Sequence, residues 1–284
     1  MRKLISLNEN WTLSFPKGER LAEKVTLPHT WNAVDGMDGN GSYLRTTGVY
    51  RCTFLKPEQP LEGGRVYVEV LAAALSAVVK VNGTVATTHE GGFSAFRADI
   101  TDLCKEGNNE MTIEVSNEDT PSMYPASADF TFYGGLYRGV NLISVPHTHF
   151  DLDYYGGSGI KVTPKPTEDG GATFEIESFV TNQEECFTVM YSIEDACGCE
   201  VASAVRPADN IAVTIYVPDA KLWSMDEPNL YTVVARLQKN NETYDEIHVN
   251  TGVRSYSVTP DGGFFINNKA VSLRGVSRHQ DRLY

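Results

Sequence analysis

Residues Phe264–Tyr284 read FFINNKAVSLRGVSRHQDRLY. Phe264, Phe265 and Ile266 form one arm of an expected β-hairpin. Asn267, Asn268 and Lys269 supply its turn, because asparagine accepts the positive φ that tight hairpins require. Val271, Leu273 and Val276 fall in the expected second arm, with Gly275 where side chains must be small. That arm reads as a buried strand ending at Ser277, Arg278, His279, Gln280 and Asp281. Polar groups gathered just past an apolar strand mark the catalytic mouth of parallel α/β barrels. The plainer alternative is a polar strand end closing an ordinary sheet.

The chain upstream of this stretch carries almost no helical periodicity. In residues 1–145 short alternating runs recur at Trp11–Phe15, Gly48–Leu55, Arg65–Leu71, Ala77–Val81, Met111–Ser116 and Gly139–Val145. Turn signals such as Asn82-Gly83 and Gly91-Gly92 separate them, a pattern that predicts an antiparallel sandwich or jelly roll. Ile100–Leu103 is expected to form a short turn. Residues 147–256 are also all-β, with runs at Ile160–Thr163, Thr173–Thr181, Thr188–Ile193, Val201–Val205, Ile211–Val217, Tyr231–Gln238 and Tyr244–Asn250. Seven short strands in that length predict an immunoglobulin-like sandwich.

Four stretches of the first half, LPHTWN (Leu27–Asn32), GVYR (Gly48–Arg51), the VNG hairpin and FYGGLYRGVNLI (Phe132–Ile143), occur in an order and spacing that resembles family 2 glycoside hydrolases. KLWSMDEPNLYTVVARL (Lys221–Leu237) and TGVRSYSV (Thr251–Val258) are similar to that family's second domain and to its lead into the barrel. LRGVSRHQDR resembles the family's first barrel strand, in wording nearest its β-galactosidases. The resemblance implies an all-β chain: a jelly-roll sugar-binding-like domain over 1–146, an immunoglobulin-like β-sandwich over 147–256, and the start of a truncated (β/α)8 barrel over 257–284. It implies a retaining hydrolase of terminal β-galactosides in the complete protein. The alternatives are β-glucuronidase or β-mannosidase of the same family, a stand-alone carbohydrate-binding module, or a structural sandwich pair. Both catalytic glutamates of the family come from later barrel strands. This stretch of chain is therefore expected to be inactive alone and to supply no catalytic residue.

The resemblance also implies a sugar subsite. Asp129 stands six residues before Gly135, where the family's β-galactosidases carry an aspartate that reaches the galactose. In some members it also reaches a monovalent cation, so a monovalent or divalent cation is expected only in the full-length enzyme. A carboxylate suits the role because it accepts strong hydrogen bonds from sugar hydroxyls. Asn40, in the loop Gly36–Ser42, offers an amide for a similar contact. His279 matches the histidine of the strand-end motif. Each has a plainer reading as a solvated loop residue or as barrel structure. Trp223 is expected to be a packing anchor rather than a ligand platform. His147 and His149, two apart on a strand, share a face, but no third ligand accompanies them and no metal site is expected.

The 284 residues suffice for about two domains, and 41% of them are hydrophobic, enough to build packed cores. The net charge of −13 argues against nucleic acid or an anionic membrane as a partner. A carbohydrate partner is expected in the complete enzyme, with a homo-oligomer left open. The five cysteines, Cys52, Cys104, Cys186, Cys197 and Cys199, contain no CxxC pair. They read as thiols of a reducing compartment, and Cys197-Gly198-Cys199 as a turn too tight for easy mutual bridging. The opening MRKLISLNENWTLSF alternates like a strand and lacks a signal-peptide core. A cytoplasmic location is the expectation.

Overall fold

Alternation along the strands places the cores. In Thr47–Leu55 the side chains of Tyr50, Cys52 and Phe54 are buried while Arg51, Thr53 and Leu55 are exposed, the two-residue period of a sheet with one covered face. The structure is a computed structural model, and it describes residues 1–35, 42–58, 63–119, 131–182, 186–209 and 212–277. The chain forms two units, one containing Lys3–Ser144 and the other Met1–Arg2 with Val145–Ser277.

In the first unit a six-stranded sheet runs in the order Glu23–Val25, Trp11–Ser14, Thr47–Leu55, Asn108–Ser116, Ser76–Val81, Thr84–Glu90. A four-stranded sheet runs Lys3–Ser6, Val140–Val145, Arg65–Val70, Phe96–Asp99. Trp11, Leu13, Tyr50, Val79 and Ile113 of the larger sheet share one core with Val66, Val68, Val70, Val140 and Leu142 of the smaller. Each fully buried Leu, Ile or Val contributes about 1.5–3 kcal/mol, so the sandwich is held chiefly by this layer. The Asn82-Gly83 turn takes φ of 50° and 84°, as a tight hairpin between Ser76–Val81 and Thr84–Glu90 requires. The expected turn near Ile100 is a 3-10 segment, Thr101–Leu103.

The second unit pairs Ile160–Pro166, Ala172–Ser178 and Ala212–Val217 in one sheet. Glu200–Pro207, Thr188–Glu194, Tyr231–Lys239 and Glu242–Thr251 form the other. Phe174, Ile176, Val213 and Ile215 of the first meet Val189, Tyr191, Val233 and Leu237 of the second in one core. Three strands against four is the immunoglobulin-like arrangement. His149–Phe150 and Val180–Thr181 add a two-stranded ladder.

The quoted C-terminal stretch is partly a hairpin. Gly263–Ile266 pairs with Lys269–Val271 across Asn267 and Asn268, whose φ values are 47° and 61°. A third strand, Tyr256–Thr259, lines up beside Gly263–Ile266. The second arm is shorter than expected. It stops at Val271, and Leu273 and Val276 are 71% and 97% exposed, outside any ladder. A barrel strand is buried because neighbours flank it on both sides, and the described residues offer none. No barrel is present among them.

Candidate functional site

Asn40, Asp129 and His279 all lie outside the described residues. The residues that flank segments 36–41 and 120–130 are described, and they converge on one buried polar knot in the first unit. Its centre is Asn117, wholly buried at the end of strand Asn108–Ser116. Its side-chain Nδ2 donates to the carbonyls of Phe132 (2.8 Å) and Leu44 (3.1 Å) and to Asn32 Oδ1 (3.3 Å). Its Oδ1 accepts from the Thr46 amide at 2.8 Å. Asn32 in turn accepts the Gly134 amide (2.7 Å) and donates to Asp35 Oδ2 (2.7 Å) and the Leu44 carbonyl (2.9 Å). Asp35 also accepts the Leu44 amide at 2.8 Å and pairs with Arg20 at 2.5 Å. Described residues on both sides of each segment are thus tied together by hydrogen bonds to three short polar side chains. Arg45 adds a bond to the Asn117 carbonyl (2.8 Å), an ion pair with Asp119 (2.5 Å) and a position 5.0 Å from the Phe132 ring centre.

The LPHTWN and FYGGLYR motifs pack against each other, which is why both are needed. Trp31 lies over Gly134 so closely that a β-carbon there would sit 2.0 Å from its Cζ2. Gly135, at φ 128°, would place a β-carbon 2.6 Å from the His29 carbonyl oxygen. The backbone is stitched by His29 N–H to Leu136 O (2.8 Å) and by Thr30 Oγ1 to Gly134 O (2.8 Å). His29 Nδ1 and the Tyr50 hydroxyl are 2.9 Å apart. Burial lowers the His29 pKa, holding the ring neutral, and raises that of the Tyr50 phenol. The pair is a rigid, uncharged support beneath the knot.

In the second unit Trp223 is an anchor, as expected. Gly252 is free of a β-carbon that would sit 2.8 Å from the Trp223 β-carbon, and the Arg254 guanidinium lies 5.0 Å from its ring centre. Asn267 ties the hairpin turn to this anchor by donating to Trp223 O at 2.9 Å and accepting Ser255 N–H at 3.0 Å. Between the turn Lys221–Asn229 and the hairpin lies an open hollow of about 1100 Å3 with Met225, Asp226, Ile266, Lys269 and Arg274 in its walls. His149 is buried, with Nδ1 2.9 Å from Pro146 O and Nε2 3.2 Å from Thr181 Oγ1. Among the described residues no cluster of three or more His, Cys, Asp or Glu is placed to hold a metal.

Sequence reasoning had Asn32 within a recognised motif but assigned it no role, and it passed over Asp35 and Asn117. The available signal at Asn117 was an amide set directly after a long apolar strand, where burial comes before solvent.

Two all-β sandwiches, the first with a buried hydrogen-bonded polar knot, make up the described residues. The comparisons with known proteins agree. Residues 3–146 match the sugar binding domain of glycosyl hydrolases family 2, and residues 158–254 match a second model of glycosyl hydrolases family 2. The chain belongs to family 2 of the glycosyl hydrolases. It is 83% identical to the crystal structure of an FMN-binding β-glucuronidase from Facaelibacterium prausnitzii L2-6, with a TM-score of 0.96, covering 100% of this chain and 44% of that one. It is 30% identical to a β-glucuronidase of Bacteroides fragilis, over 99% of this chain and 42% of the relative. A β-galactosidase of Thermoanaerobacter pseudethanolicus is 28% identical over 98% of this chain and 39% of its own length. The chain spans less than half the length of these relatives.

Proposed function

We propose that this chain is the two-sandwich portion of a retaining family 2 hydrolase that removes terminal β-glucuronic acid residues. The observation that carries the reading is the 83% identity, along the whole chain, to a protein described as a β-glucuronidase. The SRHQD wording near the C-terminal end pointed first to β-galactosides, and that remains the second reading, favoured by relatives such as the Thermoanaerobacter β-galactosidase. In this reading residues 1–146 and 147–256 are separate domains and residues from 257 onward lead into a barrel. Retaining cleavage places two carboxyl groups about 5–5.5 Å apart, one attacking the anomeric carbon and the other protonating the leaving oxygen. The part played by this chain is to present the sugar-facing segments that carry Asn40, Asp129 and His279. The knot of Asn32, Asp35 and Asn117 ties together the described residues that flank the first two. Five free cysteines accord with work in a reducing, cytoplasmic setting.

The test is kcat/KM of the complete protein on p-nitrophenyl β-D-glucuronide and p-nitrophenyl β-D-galactoside. The glucuronide should be favoured by roughly 10²-fold or more, because a site built to pair a substrate carboxylate rejects an analogue lacking it. Equal rates, or a preference for the galactoside, would transfer the assignment to β-galactosidase.

A further inference from the structure

The strands Thr188–Glu194 and Glu200–Pro207 are joined by the loop Asp195-Ala196-Cys197-Gly198-Cys199. The loop closes through Asp195 N–H to Cys199 O and Gly198 N–H to Asp195 O, both 2.9 Å. Asp195 Oδ1 accepts the amides of both cysteines, at 2.8 Å from Cys197 and 3.0 Å from Cys199. Gly198 takes φ 77° with open space around it, so the chain turns between the two cysteines. Both cysteines are exposed and free.

The sequence alone suggested that the two thiols sit in a turn too tight to bridge easily, and the turn is present. Cα atoms two residues apart are at most about 7 Å from each other, and a left-handed glycine between them shortens the distance. A disulfide spans Cα separations of roughly 4.4–6.8 Å. A bond here would close the second-smallest ring that two cysteines of one chain can form. Such a ring is strained, and strained, exposed disulfides are the readily reduced ones. Asp195 already fixes the backbone, so little further ordering is needed for closure.

We propose that Cys197 and Cys199 form a reversible dithiol–disulfide modification site whose oxidant is a small disulfide of the glutathione class. One cysteine thiolate attacks a sulfur of the oxidant, forming a mixed disulfide and releasing one small thiolate. The second cysteine thiolate then attacks the cysteine sulfur of that mixed disulfide, forming the ring and releasing the second small thiolate. Two electrons pass to the oxidant, and the two protons lost by the cysteines leave on the two small thiols. Excess small thiol reverses both steps. The other cysteines supply internal references. Cys52 is buried, its thiol pushed up to about 12 by desolvation, and burial likewise raises Cys104, so both are poor nucleophiles. Cys186 is a single exposed thiol.

The full chain is incubated across a series of oxidised-to-reduced glutathione ratios, quenched in acid, alkylated and mapped by mass spectrometry. The peptide spanning Cys197 and Cys199 should lose two hydrogens, about 2 Da, and carry neither alkyl group nor glutathione. Cys186 should carry glutathione instead. In at least one of C197S and C199S, a glutathione adduct should persist on the remaining cysteine of the loop. The proposal is overturned if wild type holds lasting glutathione on the loop without the 2 Da loss. It is equally overturned if both loop thiols stay alkylatable while Cys186 is modified, or if neither variant accumulates an adduct.

Discussion

The indole of Trp31 fills the space that a β-carbon at position 134 would require, with Cζ2 2.0 Å from where that carbon would sit. The two residues are far apart in sequence, yet a side chain at position 134 would meet the indole directly. Gly134→Ala forces the buried indole or the backbone to move, an overpacking that costs about 1–3 kcal/mol. The melting temperature of the first unit should fall by roughly 4–10 °C. Combining it with Trp31→Phe should give a loss smaller than the sum of the two, by about 0.5 kcal/mol or more. Additive losses in calorimetry would show that the two residues do not compete for the same space.

Asn117 is the most connected side chain of the knot. Asn117→Asp keeps its shape but replaces the donor that faces the Leu44 and Phe132 carbonyls with a second acceptor. Leaving buried acceptors unpaired beside a carboxylate should cost about 2–4 kcal/mol, read as a lower urea midpoint for the chain. In the complete protein the same change should depress kcat/KM on its glycoside, since both loop bases lose their tie. An unchanged midpoint would mean that water replaces the lost bonds.

The strands of both sandwiches were readable because alternation survives in single runs such as Tyr231–Gln238 and Ile211–Val217. Asn82-Gly83 and Asn267-Asn268 announced their turns by residue type. The knot was not readable, since Asn32, Asp35 and Asn117 look like ordinary loop polars until the fold removes them from water. Short strands such as Glu23–Val25 and Phe96–Asp99 carry too few residues to show a period. Leu273 and Val276 suggested burial by composition, but burial of a strand is a property of its neighbours. The three residues expected at the sugar fall outside the described residues, so their role rests on the family resemblance.

Asp129 bears on catalysis and not on folding in the proposed reading. Asp129→Asn removes a charged acceptor worth about 1.5–3 kcal/mol toward a sugar hydroxyl. In the complete protein kcat/KM should fall by roughly one to two powers of ten, while the melting temperature of the 284-residue chain stays within a degree or so. Wild-type kcat/KM in the variant would remove Asp129 from the site.

Arg2 grips Asp245 through two bonds, Nε to Oδ1 at 3.1 Å and Nη2 to Oδ2 at 2.8 Å. Asp245 is fully buried and also accepts the amides of Phe150 (2.9 Å) and Glu246 (3.0 Å). Arg2→Ala leaves that carboxylate buried without its counter-charge, a loss of about 3–5 kcal/mol. Adding Asp245→Asn should restore part of it. The measurement is denaturant unfolding of the second unit followed by its buried tyrosines, and an Arg2→Ala chain as stable as wild type would refute the clasp.

His149 is expected to make the second unit sensitive to acid. Burial lowers its pKa below that of an ordinary imidazole, so below about pH 6.5 the unfolded chain takes up a proton that the folded ring refuses. Stability from this group is complete above the unfolded pKa and is lost as pH falls toward the folded one, with a slope of at most about 1.4 kcal/mol per pH unit. The urea midpoint should drop between pH 7.5 and 5.5, and His149→Gln should flatten that drop. Parallel pH profiles for the two proteins would assign the sensitivity to another group.

The clasp between Arg2 and Asp245 also sets an order of events during synthesis. Arg2 leaves the ribosome ahead of the whole first unit, and its acceptor follows 243 positions later. Local hairpins of the second unit need only near neighbours, whereas this contact must close a loop longer than the whole first unit. The clasp therefore cannot close until Asp245 has emerged, by which time the whole of the first unit has been made between its two halves.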